Sequence, residues 1–143
     1  MTILSAPKLR ILEAAVYVND LDETQAFYGN VLGLQLISRR DDRSAFFRCG
    51  DAIVLTFLAE ASRDPATTGE LPVPPHGTDG AGHLCFAVPD STTLDVWRET
   101  LTAAGIEIES DFCWPNGARS VYVRDPSGNS IEFAEPRLWG TDV

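Results

Sequence analysis

One pattern is written twice in this chain, 70 residues apart, and this limits what it can fold into more than any other feature. Val18-Asn19-Asp20 returns as Val88-Pro89-Asp90, and Phe27 returns as Trp97. In each copy a short run of apolar and β-branched residues, at 11–18 and 83–88, reads as a strand. In the first copy Asp20 and Glu23 have capping-box spacing, Phe27 and Val31 share a helical face, and Gly33 stops the helix. In the second copy Asp90 reads as the cap. Leu94, Trp97, Leu101 and Ala104 form one apolar stripe, and Gly105 ends it. Three strands are expected after each helix, at 34–39, 44–49 and 52–58, then at 106–110, 119–124 and 130–134. The fold class is therefore α+β: two modules, at about 10–58 and 82–135, each written as a strand, a helix and three strands. The Pro-, Gly- and Thr-rich stretch 59–81 shows no periodicity and reads as a linker within a single domain.

The same offset of 70 places His83 where the first copy has Glu13. Alternate side chains of a strand face opposite sides. Leu84, Phe86 and Val88 suit the helix side, which leaves His83, Cys85 and Ala87 on the other. Leu12, Ala14, Val16 and Val18 stand likewise against Glu13, Ala15 and Tyr17. In the last strand Ile131 and Phe133 stand against Ser130, Glu132 and Ala134. Glu13, His83 and Glu132 thus share the helix-free face, and a curved sheet would make them converge.

Composition narrows the partners. A net charge of −10 disfavours nucleic acid, which rewards clustered Lys and Arg. No apolar run is long enough to span a bilayer, and the N-terminus lacks the order of a secretion signal, so no membrane partner and a cytoplasmic location are expected. Three separated cysteines, Cys49, Cys85 and Cys113, make no thiolate metal motif, and Cys49 and Cys85 read as buried thiols. No P-loop, dinucleotide glycine pattern or Ser-His-Asp set is present.

Three stretches together resemble the glyoxalase/bleomycin-resistance/dioxygenase group, the vicinal-oxygen-chelate superfamily. They are Val16-Tyr17-Val18-Asn19-Asp20-Leu21 with Ala26-Phe27-Tyr28, Gly82-His83-Leu84-Cys85-Phe86-Ala87-Val88, and Arg124-Asp125-Pro126-Ser127-Gly128-Asn129-Ser130-Ile131-Glu132-Phe133. The resemblance implies paired βαβββ modules forming a curved mixed sheet around a cavity with helices on the outer face, assembly as a homodimer, and metal ligands on the first and last strand of each module. Carried across, those positions are Glu13, His83 and Glu132, with Val54 at the fourth, where no ligand is possible. The first position is commonly histidine in the metal enzymes and here is glutamate.

One imidazole and two carboxylates suit a divalent ion such as Fe, Mn, Zn, Ni or Mg. Glu13 and Glu132 are also the candidate catalytic carboxylates, since two crowded carboxylates disfavour each other's ionisation and one can then accept a proton. Tyr17, Val54, Trp114 and Arg119 are expected to line the substrate cavity. Arg48, Arg119 and Arg124 are candidates for holding an anionic substrate, and His76 reads as a solvated loop residue. Two functions stay open: a metal-dependent lyase, isomerase or dioxygenase acting on a small oxygenated molecule, and a metal-free protein that sequesters a drug or metabolite.

Overall fold

A computed structural model describes residues 8–64 and 70–140. The first module runs β1 (Glu13–Val18), α1 (Leu21–Gln25), β2 (Gln35–Arg40), β3 (Ser44–Cys49) and β4 (Ala52–Leu58). The second runs β5 (His83–Ala87), α3 (Ser91–Ala103), β6 (Ser110–Cys113), β7 (Arg119–Arg124) and β8 (Ser130–Ala134). Each forms a four-stranded mixed sheet, in the orders β1-β4-β3-β2 and β5-β8-β7-β6. The opening strand of each module pairs parallel to its last strand, and the other pairings are antiparallel. The two sheets are open, and β1 and β5 lie at their edges.

The helices begin where the sequence places them. Asp20 accepts from the Glu23 amide at 2.9 Å, and Asp90 from the Thr93 amide at 2.8 Å. After α1 the chain widens into a π-helical turn, Ala26–Val31, and leaves it through Gly33 at φ 75°. This turn seats Phe27 and Tyr28 in a core shared by both modules, where Leu94, Leu101, Val121 and Ile131 are fully buried.

Two expectations need correcting. The second strand of the second module lies at Ser110–Cys113 rather than 106–110, because Ile106 and Ile108 turn into the core before pairing with β7 begins. The linker, expected to be irregular, opens with a short helix, α2 (Ala59–Arg63). Among the described residues no helix is long and apolar enough to cross a membrane.

A buried loop ties the modules together. Asp125 is 4% exposed and accepts from the Tyr28 hydroxyl at 2.8 Å and from the Asn129 side-chain amide at 2.9 Å. Burial first, and then the Asp125 charge, push the Tyr28 phenol far above its ordinary range, so it remains a donor. Asn129 in turn donates to the Tyr17 carbonyl and accepts from the Gly82 amide at 2.7 Å. The turn Asp125-Pro126-Ser127-Gly128-Asn129 therefore fixes the end of β1 against the start of β5.

Candidate functional site

Strand register sorts the side chains into a helix side and an open side. In the second module His83 lies opposite Ser130, Cys85 opposite Glu132, and Glu132 opposite Tyr122. Ser120 and Phe112 pair on the same side, one strand further out. The open face of this sheet thus gathers His83, Cys85, Glu132, Ser120, Tyr122 and Phe112.

At its centre, His83 Nε2 lies 3.3 Å from Glu132 Oε1. The other ring nitrogen, Nδ1, is 3.0 Å from the Ser130 carbonyl. A carbonyl can only accept, so Nδ1 carries a proton and donates it. In the neutral ring Nε2 is then a bare lone pair aimed at a carboxylate oxygen. Two acceptors in that position require a cation between them, either a proton or a metal ion. The spacing suits two donors sharing an ion with bonds of about 2.1 Å, and the carbonyl holding Nδ1 is the usual orienting partner of a metal-bound histidine.

Glu132 is 5% exposed and fixed from behind. Its Oε2 accepts from the Ser120 hydroxyl at 2.6 Å, and Ser120 accepts from the Trp114 indole N–H at 2.8 Å. Each hydrogen in that chain has one direction to go. The Tyr122 hydroxyl and the Cys85 thiol flank the same carboxylate. Both are pushed up to about 12, first by burial and then by the Glu132 charge, so both stay protonated at neutral pH. His83 stacks on Tyr122, which stacks on Phe112, and Phe112 leans on Trp114.

The open face of the first sheet differs. Glu13, Ala15 and Tyr17 lie opposite Ile53, Leu55 and Phe57. Tyr17, Phe46 and Phe57 form an aromatic cluster there. His76 stands edge-on to Phe57, with ring centroids 4.7 Å apart, and bonds the Tyr17 hydroxyl at 2.8 Å. The linker histidine is therefore placed by partners on this face rather than simply solvated.

Of the three expected ligands, one chain brings His83 and Glu132 together and leaves Glu13 exposed on the other sheet. Among the described residues no group of three His, Cys, Asp or Glu side chains gathers as a metal site. Trp114 donates to Ser120 of the second open face, and Tyr17 lies on the first. Val54 and Arg119 do not line a cavity. Val54 pairs with Ala14 and Phe47 and is 4% exposed in the core beneath the helix. Arg119 faces α3, donating to Asp111 at 2.8 Å and to Asp95 at 2.7 Å, which raises its pKa above the ordinary value. Arg124 is likewise taken, by Glu109 at 2.7 Å. Cys85, expected to be buried, is exposed on the open face.

Comparison with known proteins matches residues 10–133 to the Glyoxalase/Bleomycin resistance protein/Dioxygenase superfamily. The chain belongs to this superfamily. A crystal structure of lactoylglutathione lyase from Agrobacterium tumefaciens superposes with a TM-score of 0.88 at 40% identity, covering 94% of this chain and 99% of that one. Lactoylglutathione lyase of Haemophilus influenzae is 28% identical over 135 residues, covering 89% of this chain and 93% of that protein. Catechol-2,3-dioxygenase of Bacillus subtilis is 28% identical over 125 residues, 87% of this chain, which spans only 40% of that longer protein.

Register also locates the fourth ligand position of the superfamily pattern. Glu132 lies opposite the residue two places after His83. The residue opposite the position two places after Glu13 is Leu55, not Val54. Matching the two sequences directly put this position off by one residue. Ser120 and Tyr122 were legible from alternation alone, since they interleave with Val121 and Val123 as polar residues of the open face.

Proposed function

We propose that this protein is a metal-dependent enzyme of the glyoxalase type that works on a small molecule carrying two adjacent oxygens. The observation that carries the proposal is Nε2 of His83 facing Glu132 Oε1 at 3.3 Å, with Nδ1 committed to a carbonyl. In this reading His83 and Glu132 hold a divalent ion, and Glu13 of a second copy completes the set in a cytoplasmic homodimer. Support for a second copy comes from the edge positions of β1 and β5 and the exposed Glu13. Leu9, Ile11 and Leu12, all more than two-thirds exposed, continue the same edge.

A bound ion would supply polarisation of the substrate oxygens and stabilisation of negative charge developing on them. The chain's own residues do the rest. The chain of donors from Trp114 through Ser120 holds the Glu132 carboxylate in one orientation. Tyr122 and Cys85, protonated beside it, offer hydrogen bonds without adding charge. Glu13, exposed here and brought in by the second copy, would be the carboxylate that takes a proton from the carbon next to the oxygens. The identity with a lactoylglutathione lyase structure favours this proton-transfer chemistry over ring-opening oxygenation.

The competing reading is metal-free binding of a drug or metabolite, favoured by the apolar first face with Leu55 at the fourth position. Calorimetry with Mn²⁺, Co²⁺ and Ni²⁺ separates the two. The wild type is expected to bind one ion per site and His83→Ala to lose at least about a hundredfold in affinity. Metal-loaded protein should then form S-lactoylglutathione from methylglyoxal and glutathione. If neither protein binds metal, the enzyme reading is wrong and sequestration stands.

A further inference from the structure

His76 lies outside the expected ligand set, yet its position is built. Its amide donates to the Ser62 carbonyl at 3.0 Å, which anchors the linker to α2. The next residue, Gly77, has φ 152°, and a Cβ there would meet the Ala59 carbonyl at 2.9 Å and Arg63 Cγ at 2.7 Å. Only glycine permits so close an approach. Two residues on, Asp79 pairs with Arg63 at 3.1 Å. Three constraints within four residues hold the imidazole over the open face of the first sheet.

The ring is wedged edge-on against Phe57, and its Nδ1 is taken by Tyr17. When the Tyr17 hydroxyl donates to Nδ1, the neutral ring carries its proton on Nε2. His76 is exposed, so this N–H is open to a bound molecule rather than used inside the protein. Of the three arginines expected to hold an anion, Arg119 and Arg124 are committed to carboxylates, and Arg48 stands exposed further along the same face, opposite Ile53.

We propose that His76 is a substrate-contacting residue, donating from Nε2 to an anionic oxygen of a flat ligand lying against the half-buried Tyr17, with Tyr17 as the positioning residue whose hydroxyl donates to Nδ1. This rests on the reading that the two open faces bind substrate between them. It adds a contact from the linker that belongs to neither repeat.

The chain has two histidines, so imidazole NMR gives one set of ring signals for His76 and one for His83. Zn²⁺ is added first, then 4-nitrocatechol, a flat anion with adjacent oxygens whose absorbance reports binding. Zinc should move the His83 signals and leave His76 in place, and 4-nitrocatechol should then move His76. His76→Phe keeps a ring against Phe57 and should weaken 4-nitrocatechol about tenfold, with Tyr17→Phe weakening it about threefold. Neither substitution should change zinc affinity. The inference is overturned if 4-nitrocatechol leaves His76 unmoved or does not bind. It is also overturned if His76→Phe binds it like the wild type, or if His76→Phe weakens zinc. Failure of zinc to move His83 strikes the metal reading alone, and the 4-nitrocatechol comparison between wild type and His76→Phe is then read without metal.

Discussion

The two open faces share one backbone plan and carry opposite chemistry. On the second sheet, a histidine and a glutamate converge, backed by a serine, a tyrosine and an indole. On the first, the matching positions are Glu13 and Leu55, surrounded by Ile53, Phe57 and Phe46, with polarity returning through Tyr17, Ser44, Arg48 and the linker's His76. The duplicated scaffold thus carries a converged histidine and glutamate on one copy and a largely apolar face on the other. The difference lies entirely in side chains pointing away from the shared core, the positions that packing leaves free to diverge.

The sharpest way to break this comparison is to give the first sheet the second sheet's carboxylate. Strand parity makes neighbouring residues respond in opposite ways. Val54→Glu would bury a carboxylate beneath the helix beside Phe47 and should cost about 4 kcal/mol or more, measured by urea unfolding. Leu55→Glu, on the half-buried open face, should fold normally and tighten divalent-metal binding about tenfold by calorimetry. Unchanged metal affinity in Leu55→Glu would mean that the first face does not meet His83 and Glu132 in the assembled protein.

A smaller test compares two buried hydroxyls. Ser120 on the second sheet donates to Glu132, whereas Thr56 on the first donates to the Ala45 carbonyl at 2.6 Å. Both are fully buried. Ser120→Ala should weaken metal about tenfold, because Glu132 loses the partner that orients it. Thr56→Val should cost about 1 kcal/mol of stability and leave metal affinity alone. Equal metal affinity in the two variants would reduce Ser120 to a structural role.

The scaffold was more legible in the sequence than the site. Four strands, Ser44–Cys49, Ala52–Leu58, Arg119–Arg124 and Ser130–Ala134, have the bounds that turn residues and alternation imply. Parity placed Glu13, His83 and Glu132 on the open side correctly, because period-two alternation is a local property. What alternation cannot give is distance between sheets, and so it could not separate Glu13 from the other two. Val54 was misassigned because alignment of similar apolar runs does not fix pairing register, which backbone hydrogen bonds set. Arg119 looked available because its partners, Asp95 and Asp111, lie 24 and 8 residues away in sequence. His76 was overlooked for the opposite reason: its Pro- and Gly-rich surroundings suggested an unstructured loop, and only the fold of α2 shows what Gly77 packs against.

Both modules also tie helix to sheet with an arginine, and here the effect is smallest. Arg39 reaches Asp22, a side chain 88% exposed, while Arg119 and Arg98 reach Asp111, which is 16% exposed. Water screens the first pair, so Asp22→Asn should change stability by no more than a few tenths of a kcal/mol. The hydrogen bonds from Arg119, then those from Arg98, hold the Asp111 carboxyl below its ordinary 3.8. A depressed folded pKa means that the unfolded chain binds the proton more readily. The pair therefore stabilises the protein fully above that ordinary value and loses its effect as pH falls through the lower folded one. Asp111→Asn should accordingly cost about 1 kcal/mol at pH 7, with a gap from wild type that narrows when the comparison is repeated below the ordinary 3.8. Urea midpoints at the two pH values measure it. A gap that is constant with pH would assign the loss to packing of the Asp111 side chain and not to its charge.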